Sequence, residues 1–292
     1  MKKILLIISI LITSLFCYTI TSAQLTQKKI SDNSITNINF TAYLDYLPLS
    51  TIHDPTSLTP SYEGIFDTFL KDWCQNYKLN CSPFSNGNYE ETVKKTSNNT
   101  FSNNKLDVII GAYSDSKLYE DYKLIYPSIL DNPVHLVMLP SSIAKISKIS
   151  DLKPLKGAID SHDQWNDFVL EQFTNLNITT VDSPEELYRQ LMSGEIDYVF
   201  TTYWYGMSKI MELGLQDHVS VSQKPIWNMP LFVAVSKTSR YKNFLTHYLT
   251  EELKKEDTIS KVKERAIEKL EEIKQKTQGT VPEAYILKKD DN

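Results

Sequence analysis

The sequence predicts an α/β fold, and three observations carry that reading. Short apolar runs with strand character recur along the chain, and stretches with helical spacing of apolar residues separate them. The runs Leu106 to Gly111 and Leu231 to Ser236 are apolar almost throughout, as strands covered on both faces are. Alternation of the two periods is the signature of a sheet layered with helices.

The elements follow in order. A polar segment from Gln24 to Asn37 precedes an expected strand at Phe40 to Leu44, and Tyr46 to Pro60 reads as a loop rich in Pro, Ser and Thr. From about Ser61 a helix is expected, with Ile65, Phe66, Phe69, Leu70 and Trp73 on one face. A short strand near Cys81 to Phe84 and a helix at Tyr89 to Thr96 lead to the Leu106 strand. Further strands are expected at Val134 to Leu139, Gly157 to Ile159, Ile196 to Thr201 and Leu231 to Ser236. Between them, Gln164 to Phe173 reads as a helix with Trp165, Phe168, Val169 and Phe173 inward. Ser183, Pro184 and Glu186 form a helix start: a hydroxyl cap, a proline at the first position and a carboxylate able to reach back to the cap amide. Gly194 ends that helix. The Glu- and Lys-rich region Arg240 to Gln275 reads as helix with a solvated charged face.

Composition narrows the class. Apolar residues make up 41% and charged residues 23% of 292 residues, which is the balance of a folded globule and not of a disordered tail. The formal net charge of −5 gives no footprint for nucleic acid. At the N-terminus Lys2 and Lys3 precede an apolar run, Ile4 to Phe16, too short to cross a bilayer comfortably. This reads as a signal peptide over residues 1–23, cleaved after Ala23, with export to the periplasm. Phe16 before Cys17 argues against a lipoprotein anchor. Cys74 and Cys81 are then a matched pair in an oxidising compartment, and a disulfide is expected; the alternative is two separate buried thiols. His53, His135, His162, His218 and His247 are scattered, with no metal spacing, and no phosphate loop or nucleophile elbow occurs, so no metal or cofactor is expected.

Four segments, in order and spacing, resemble the family-3 periplasmic solute-binding proteins, the polar amino-acid receptors of ABC importers. They are Gly64-Ile65-Phe66-Asp67, Leu106 to Gly111, Ile149-Ser150-Asp151-Leu152-Lys153, and Ser183 to Val199. The resemblance implies the two-lobed, type II periplasmic-binding-protein-like fold, with lobes joined by two crossing strands near Ser128 to Asn132 and Gln223 to Asn228. Residues 38–130 would form the first part of lobe 1, 131–224 lobe 2, and 225–292 the return strand and C-terminal helices of lobe 1. It implies a monomer that closes on a small polar ligand between the lobes and delivers it to a membrane importer permease.

The departures from that family are informative. Its carboxylate-binding arginine falls on Leu118, its ammonium-binding aspartate on Thr202, and its carboxylate-holding loop on Ser161-His162-Asp163. Arg189, Arg240 and Arg265, all the arginines of the chain, fall in expected outer helices. A free α-amino acid held by an ionic clamp is therefore not expected. Aromatic and neutral polar groups remain as candidate ligand-binding residues: Tyr46, Tyr113, Asp115, His162, Trp165, Thr202, Tyr203, Trp204 and Trp227. Trp165 is better suited to core packing on its helix, and the cluster Tyr203-Trp204-Tyr205, alternating just past a strand, must place at least one ring outward. Two other functions stay open: a dehydratase-like periplasmic enzyme, using Asp115, Glu63 or His162 as acid or base, and a sensing or accessory protein without transport.

Overall fold

The computed structural model describes residues 37–42, 45–54, 60–85, 92–93, 106–114, 119–161 and 165–277. The expected signal peptide with its expected cleavage point, Asp115, Leu118, His162 and most of the helix expected at Tyr89 to Thr96 lie outside the described residues.

In chain order the strands are β1 (Asn37–Thr41), β2 (Asp45–Tyr46), β3 (Ser50–His53), β4 (Ser61–Glu63), β5 (Asn80–Pro83), β6 (Val108–Tyr113) and β7 (Tyr122–Leu130). They continue as β8 (Pro133–Met138), β9 (Lys156–Asp160), β10 (Asn177–Val181), β11 (Tyr198–Thr202), β12 (Ser220–Val221), β13 (Trp227–Asn228) and β14 (Leu231–Ser236). The longer helices are α1 (Ile65–Asn76), α2 (Asn166–Gln172), α3 (Pro184–Ser193), α4 (Tyr203–Glu212), α5 (Lys242–Leu253) and α6 (Glu256–Thr277). The described residues divide into two compact units, the first drawn from 37–42, Ile52–Ile129 and Phe232–Ile259, the second from Asp45–Thr51, Leu130–Leu231 and Ser260–Thr277.

The first unit is built on a five-stranded sheet in the order β5-β1-β6-β14-β7. β1 runs parallel to both β5 and β6, pairing Ile38 with Cys81 and Phe40 with Val108. Every residue of β6 and of β14 is buried, which explains their apolar sequences. Gly64, at φ 132°, separates β4 from α1, so Ser61–Glu63 is extended and the expected helix begins at Ile65. Its inward face is the one read from spacing: Ile65, Phe66, Phe69, Leu70 and Trp73 are all buried. Cys74 and Cys81 form a disulfide, with Cα atoms 6.1 Å apart, joining the last turn of α1 to β5.

The second unit has a sheet in the order β10-β9-β11-β8-β12, with β13 also on β8. β9, β10 and β11 are parallel; β8 is antiparallel to β11. Gly157 and Gly206 are close-approach positions, because an added Cβ would overlap the Tyr198 ring and the Thr201 side chain respectively. Leu187, Tyr188 and Leu191 from α3 and Ile210 from α4 are buried together with Val137, Ala158 and Val199 of the sheet. Each fully buried aliphatic side chain of this kind contributes about 2 kcal/mol.

Several elements differ from the sequence reading. The Glu186 amide donates to Ser183 Oγ at 3.1 Å, Pro184 opens the helix and Gly194 closes it at φ 76°, all as expected. The Glu186 carboxylate, however, turns forward to Arg189 and Gln190 and does not reach back to the cap, because a guanidinium is the stronger partner. Tyr203-Trp204-Tyr205 opens a helix, so the alternation expected of an extended chain does not apply. The Pro-, Ser- and Thr-rich loop contains a hairpin, β2 with β3, pairing Tyr46 with Ser50. Unit boundaries fall at Ile129/Leu130, inside the first expected crossing, and at Leu231/Phe232, three residues past the second. Residues 45–51 and 260–277 pack with the second unit. The apolar stripe Val262, Ala266, Leu270 and Ile273 of α6 is buried, but a stripe alone does not name the surface that covers it.

Candidate functional site

In open α/β sheets ligands are received outside the carboxyl ends of the parallel strands. In the second unit those ends are Asp160 on β9, Val181 on β10 and Thr202 on β11, and a set of buried polar and aromatic groups joins Asp160 to Thr202.

Thr202 is fully buried and immediately precedes α4. Its backbone is extended, at φ −74° and ψ 148°, as an N-cap residue requires, yet its side chain makes no cap bond. The hydroxyl instead meets the phenol of Tyr46 at 2.5 Å. Asn132 Nδ2 donates to the same phenolic oxygen over a longer 3.4 Å. The Tyr46 ring stacks on Tyr205 with centroids 4.8 Å apart and planes 15° from parallel. Tyr205 in turn donates from its hydroxyl to Asp160 Oδ2 at 2.7 Å, and Asn166 Nδ2 donates to the Asp160 carbonyl at 2.5 Å. A chain of contacts thus runs Asn132 and Thr202, Tyr46, Tyr205, Asp160, Asn166, all within the second unit. Buried hydroxyl and amide partners of this kind each contribute about 1 kcal/mol net, while leaving one unmatched costs more.

Two atoms beside this chain have no hydrogen-bond partner among the described residues: Trp165 Nε1 and Asn166 Oδ1, on residues 2% and 8% exposed. A buried donor and a buried acceptor left open side by side in sequence are what a polar guest or a water would satisfy. The Tyr188 hydroxyl is likewise without a partner, and burial, helped by the Asp160 charge, pushes its pKa up so that it stays protonated. His135 is buried, and that burial lowers its pKa; its Nδ1–H donates to the Ser222 carbonyl at 2.8 Å.

The sequence candidates separate into groups. Tyr46 and Thr202 are brought into contact. Tyr203 is half-buried, 5.7 Å from the His135 ring and edge-on to Trp204. Trp204 is buried, and its Nε1 donates to the Asp131 carbonyl at 2.8 Å, which makes it a tie between α4 and the chain ahead of β8. Trp165 is buried at the start of α2. Trp227 is 48% exposed on β13, with Phe168 5.3 Å away. Tyr113 is the buried last residue of β6, in the first unit. Asn132, Asp160 and Asn166 were not singled out from sequence, and Tyr205 only as a member of the Tyr203-Trp204-Tyr205 cluster; the position of Asp160 at the end of a strand was the available signal. Arg189 is held on the surface by Glu186 and Glu195 at 2.7 Å each, and Arg240 lies over the Tyr241 ring at 4.5 Å, so neither belongs to this site. Among the described residues no cluster of His, Cys, Asp and Glu is suited to a metal, and no helix is long and apolar enough to cross a membrane.

No family model matches the sequence, and neither does any curated protein. Solved structures do match. A candidate binding component of an ABC transporter from Wolinella succinogenes, complexed with lysine, aligns at TM-score 0.62 and 13% identity, over 78% of this chain and 94% of that one. The GluR0 ligand-binding core in complex with L-glutamate aligns at TM-score 0.61 and 11% identity, over 80% and 99%. The ancestral amino acid-binding protein AncCDT-1, a precursor of cyclohexadienyl dehydratase, aligns at TM-score 0.59 and 16% identity, over 82% and 97%. At such low identity the likeness establishes architecture alone, and that architecture is the periplasmic-binding-protein-like α/β fold.

Proposed function

We propose that the protein is an extracytoplasmic solute-binding protein that captures a small, polar, uncharged or aromatic ligand for an ABC-type importer. The observation that carries this reading is the set of groups at the carboxyl ends of β9 and β11: a buried ring stack, hydroxyls and amides, with Arg189 and Arg240 engaged elsewhere. Such groups orient a guest by hydrogen bonding and stacking, and the open Trp165 Nε1 and Asn166 Oδ1 leave a donor and an acceptor for it. The solved neighbours named above bind amino acids, and their fold supports capture, while the groups here fit a guest lacking the α-carboxylate anchor. The N-terminal sequence supports export to the periplasm, and a permease would be the receiving partner.

A dehydratase-type activity is the second reading, supported by the likeness to the dehydratase precursor. It needs a group that moves a proton, and Asp160, the carboxylate at the strand ends, is already engaged by Tyr205. Thermal-shift screening of the chain from Gln24 against sugars, nucleosides, polyamines, amino acids and aromatic solutes separates the two. Binding predicts a raised melting temperature with the solute recovered unchanged; a released product overturns it in favour of the enzyme.

A further inference from the structure

Residues 45–51 are flanked in sequence on both sides by the first unit, yet they pack as part of the second. The side chain this hairpin delivers is Tyr46, only 5% exposed. Its surroundings describe a receptor for a phenol. Tyr205 supplies a parallel ring face, and Thr202 and Asn132 supply two polar groups converging on the hydroxyl. Thr202 gives up the cap of α4 to do so: an N-cap threonine ordinarily accepts from a first-turn amide, and this one contacts the phenol in its place.

Other attachments of the hairpin lie off the seat, where Leu49 and Ser50 are fully buried. Ser208 Oγ donates to the Leu47 carbonyl at 2.7 Å, and Lys209 Nζ stands 3.7 Å from Asp45, whose side chain is 69% exposed and therefore holds weakly. The Tyr46 contacts are ones that a free phenol reproduces, and Thr202 has a helix amide to return to if they break. We infer that this seat is a site for a para-substituted phenol, and that Tyr46 is its tethered occupant, which a free ligand must displace. The inference rests on the solute-binding reading and specifies its ligand class. A tether keeps the occupant at high effective concentration, so a free phenol meets only the small fraction of molecules whose hairpin is released.

The probe is p-cresol, with toluene as the ring lacking the hydroxyl, measured by titration calorimetry on the chain from Gln24. Tyr46→Ala vacates the seat, and Ser208→Ala removes the bond to the Leu47 carbonyl, together with a bond within α4 to the Tyr205 carbonyl, while keeping the side chains of Tyr46, Thr202, Asn132 and Tyr205. The expected result is one p-cresol per Tyr46→Ala chain, bound at least tenfold tighter than by wild type and at least tenfold tighter than toluene. Ser208→Ala should improve p-cresol binding a few-fold over wild type. A folded Tyr46→Ala that does not distinguish p-cresol from toluene overturns the inference, and so does a Ser208→Ala protein indistinguishable from wild type; the latter decides alone if Tyr46→Ala does not fold. A screened solute that binds wild type and both variants equally also overturns it, while leaving the solute-binding reading in place. Tight p-cresol binding to Tyr46→Ala with no solute bound by wild type upholds the seat and removes the transport reading.

Discussion

Two buried polar networks, one at the amino end of β6 in the first unit and one at the carboxyl ends of β9 and β11 in the second, can be compared as structural and receptive chemistry. In the first unit Asp107, just ahead of β6, accepts from the Asn39 amide at 3.0 Å and from Ser239 Oγ at 2.5 Å, and its carbonyl accepts from the Ser236 amide. Both carboxylate oxygens are engaged, and three chain segments distant in sequence are tied together. In the second unit, the groups at the carboxyl ends leave a donor and an acceptor open and place a phenol where a guest would sit. A closed network at the amino ends stabilises; an incompletely matched one at the carboxyl ends is suited to receive.

The sharpest way to break that contrast is Asp107→Ala, which strands two donors. It should cost roughly 3 kcal/mol in chemical denaturation. Solute binding should be unchanged, and a loss of binding at equal stability would refute the division of roles. Next in size is removal of the disulfide by Cys74→Ser with Cys81→Ser. For so short a loop the chain-entropy estimate is about 2.5 kcal/mol, again confined to stability and read as a lowered urea midpoint. In the second unit, Ser183→Ala removes the cap of α3 and should cost about 1 kcal/mol.

Acid should act on the two units in opposite directions. Burial lowers the His135 pKa, so from the ordinary value near 6.5 downward the unfolded chain binds the proton more readily and the second unit loses stability as pH falls. Burial raises the pKa of Asp107 and of Asp67, so between those raised values and the ordinary one near 3.8 the folded first unit takes up protons more readily and gains stability as pH falls. His135→Gln should flatten the first trend, which hydrogen exchange resolved by unit between pH 7 and 5 would show; an unchanged slope would assign it elsewhere. The smallest effect is expected at Arg189→Ala, on the exposed face of α3. The guanidinium and Gln190 hold the Glu186 carboxyl down at about 2, so its titration should return toward the ordinary range with little change in melting temperature.

Much of the fold was legible because apolar spacing reports burial directly. The α1 face, the runs at β6 and β14, and the Ser183 to Gly194 helix each carry their signal within a few residues. The cysteine pair was legible from number and compartment. The site was legible only in part. Tyr46 and Thr202 could be named as polar and aromatic candidates, but their meeting depends on a contact across 156 residues that no local pattern encodes. Trp204 has the same composition signal as Tyr46, yet its indole is spent on the Asp131 carbonyl, a bond set by where α4 begins. The hairpin was missed for a related reason: Pro, Ser and Thr mark a turn-rich segment, while the partner of Tyr46 lies in the other half of the chain.

Titration calorimetry with the strongest solute from a thermal screen tests the capture of a neutral guest most directly. One molecule per chain, a negative heat-capacity change from apolar burial, and recovery of the solute unaltered are the predicted results. Heats absent for every neutral and aromatic solute, with saturable binding only to free α-amino acids, would contradict it.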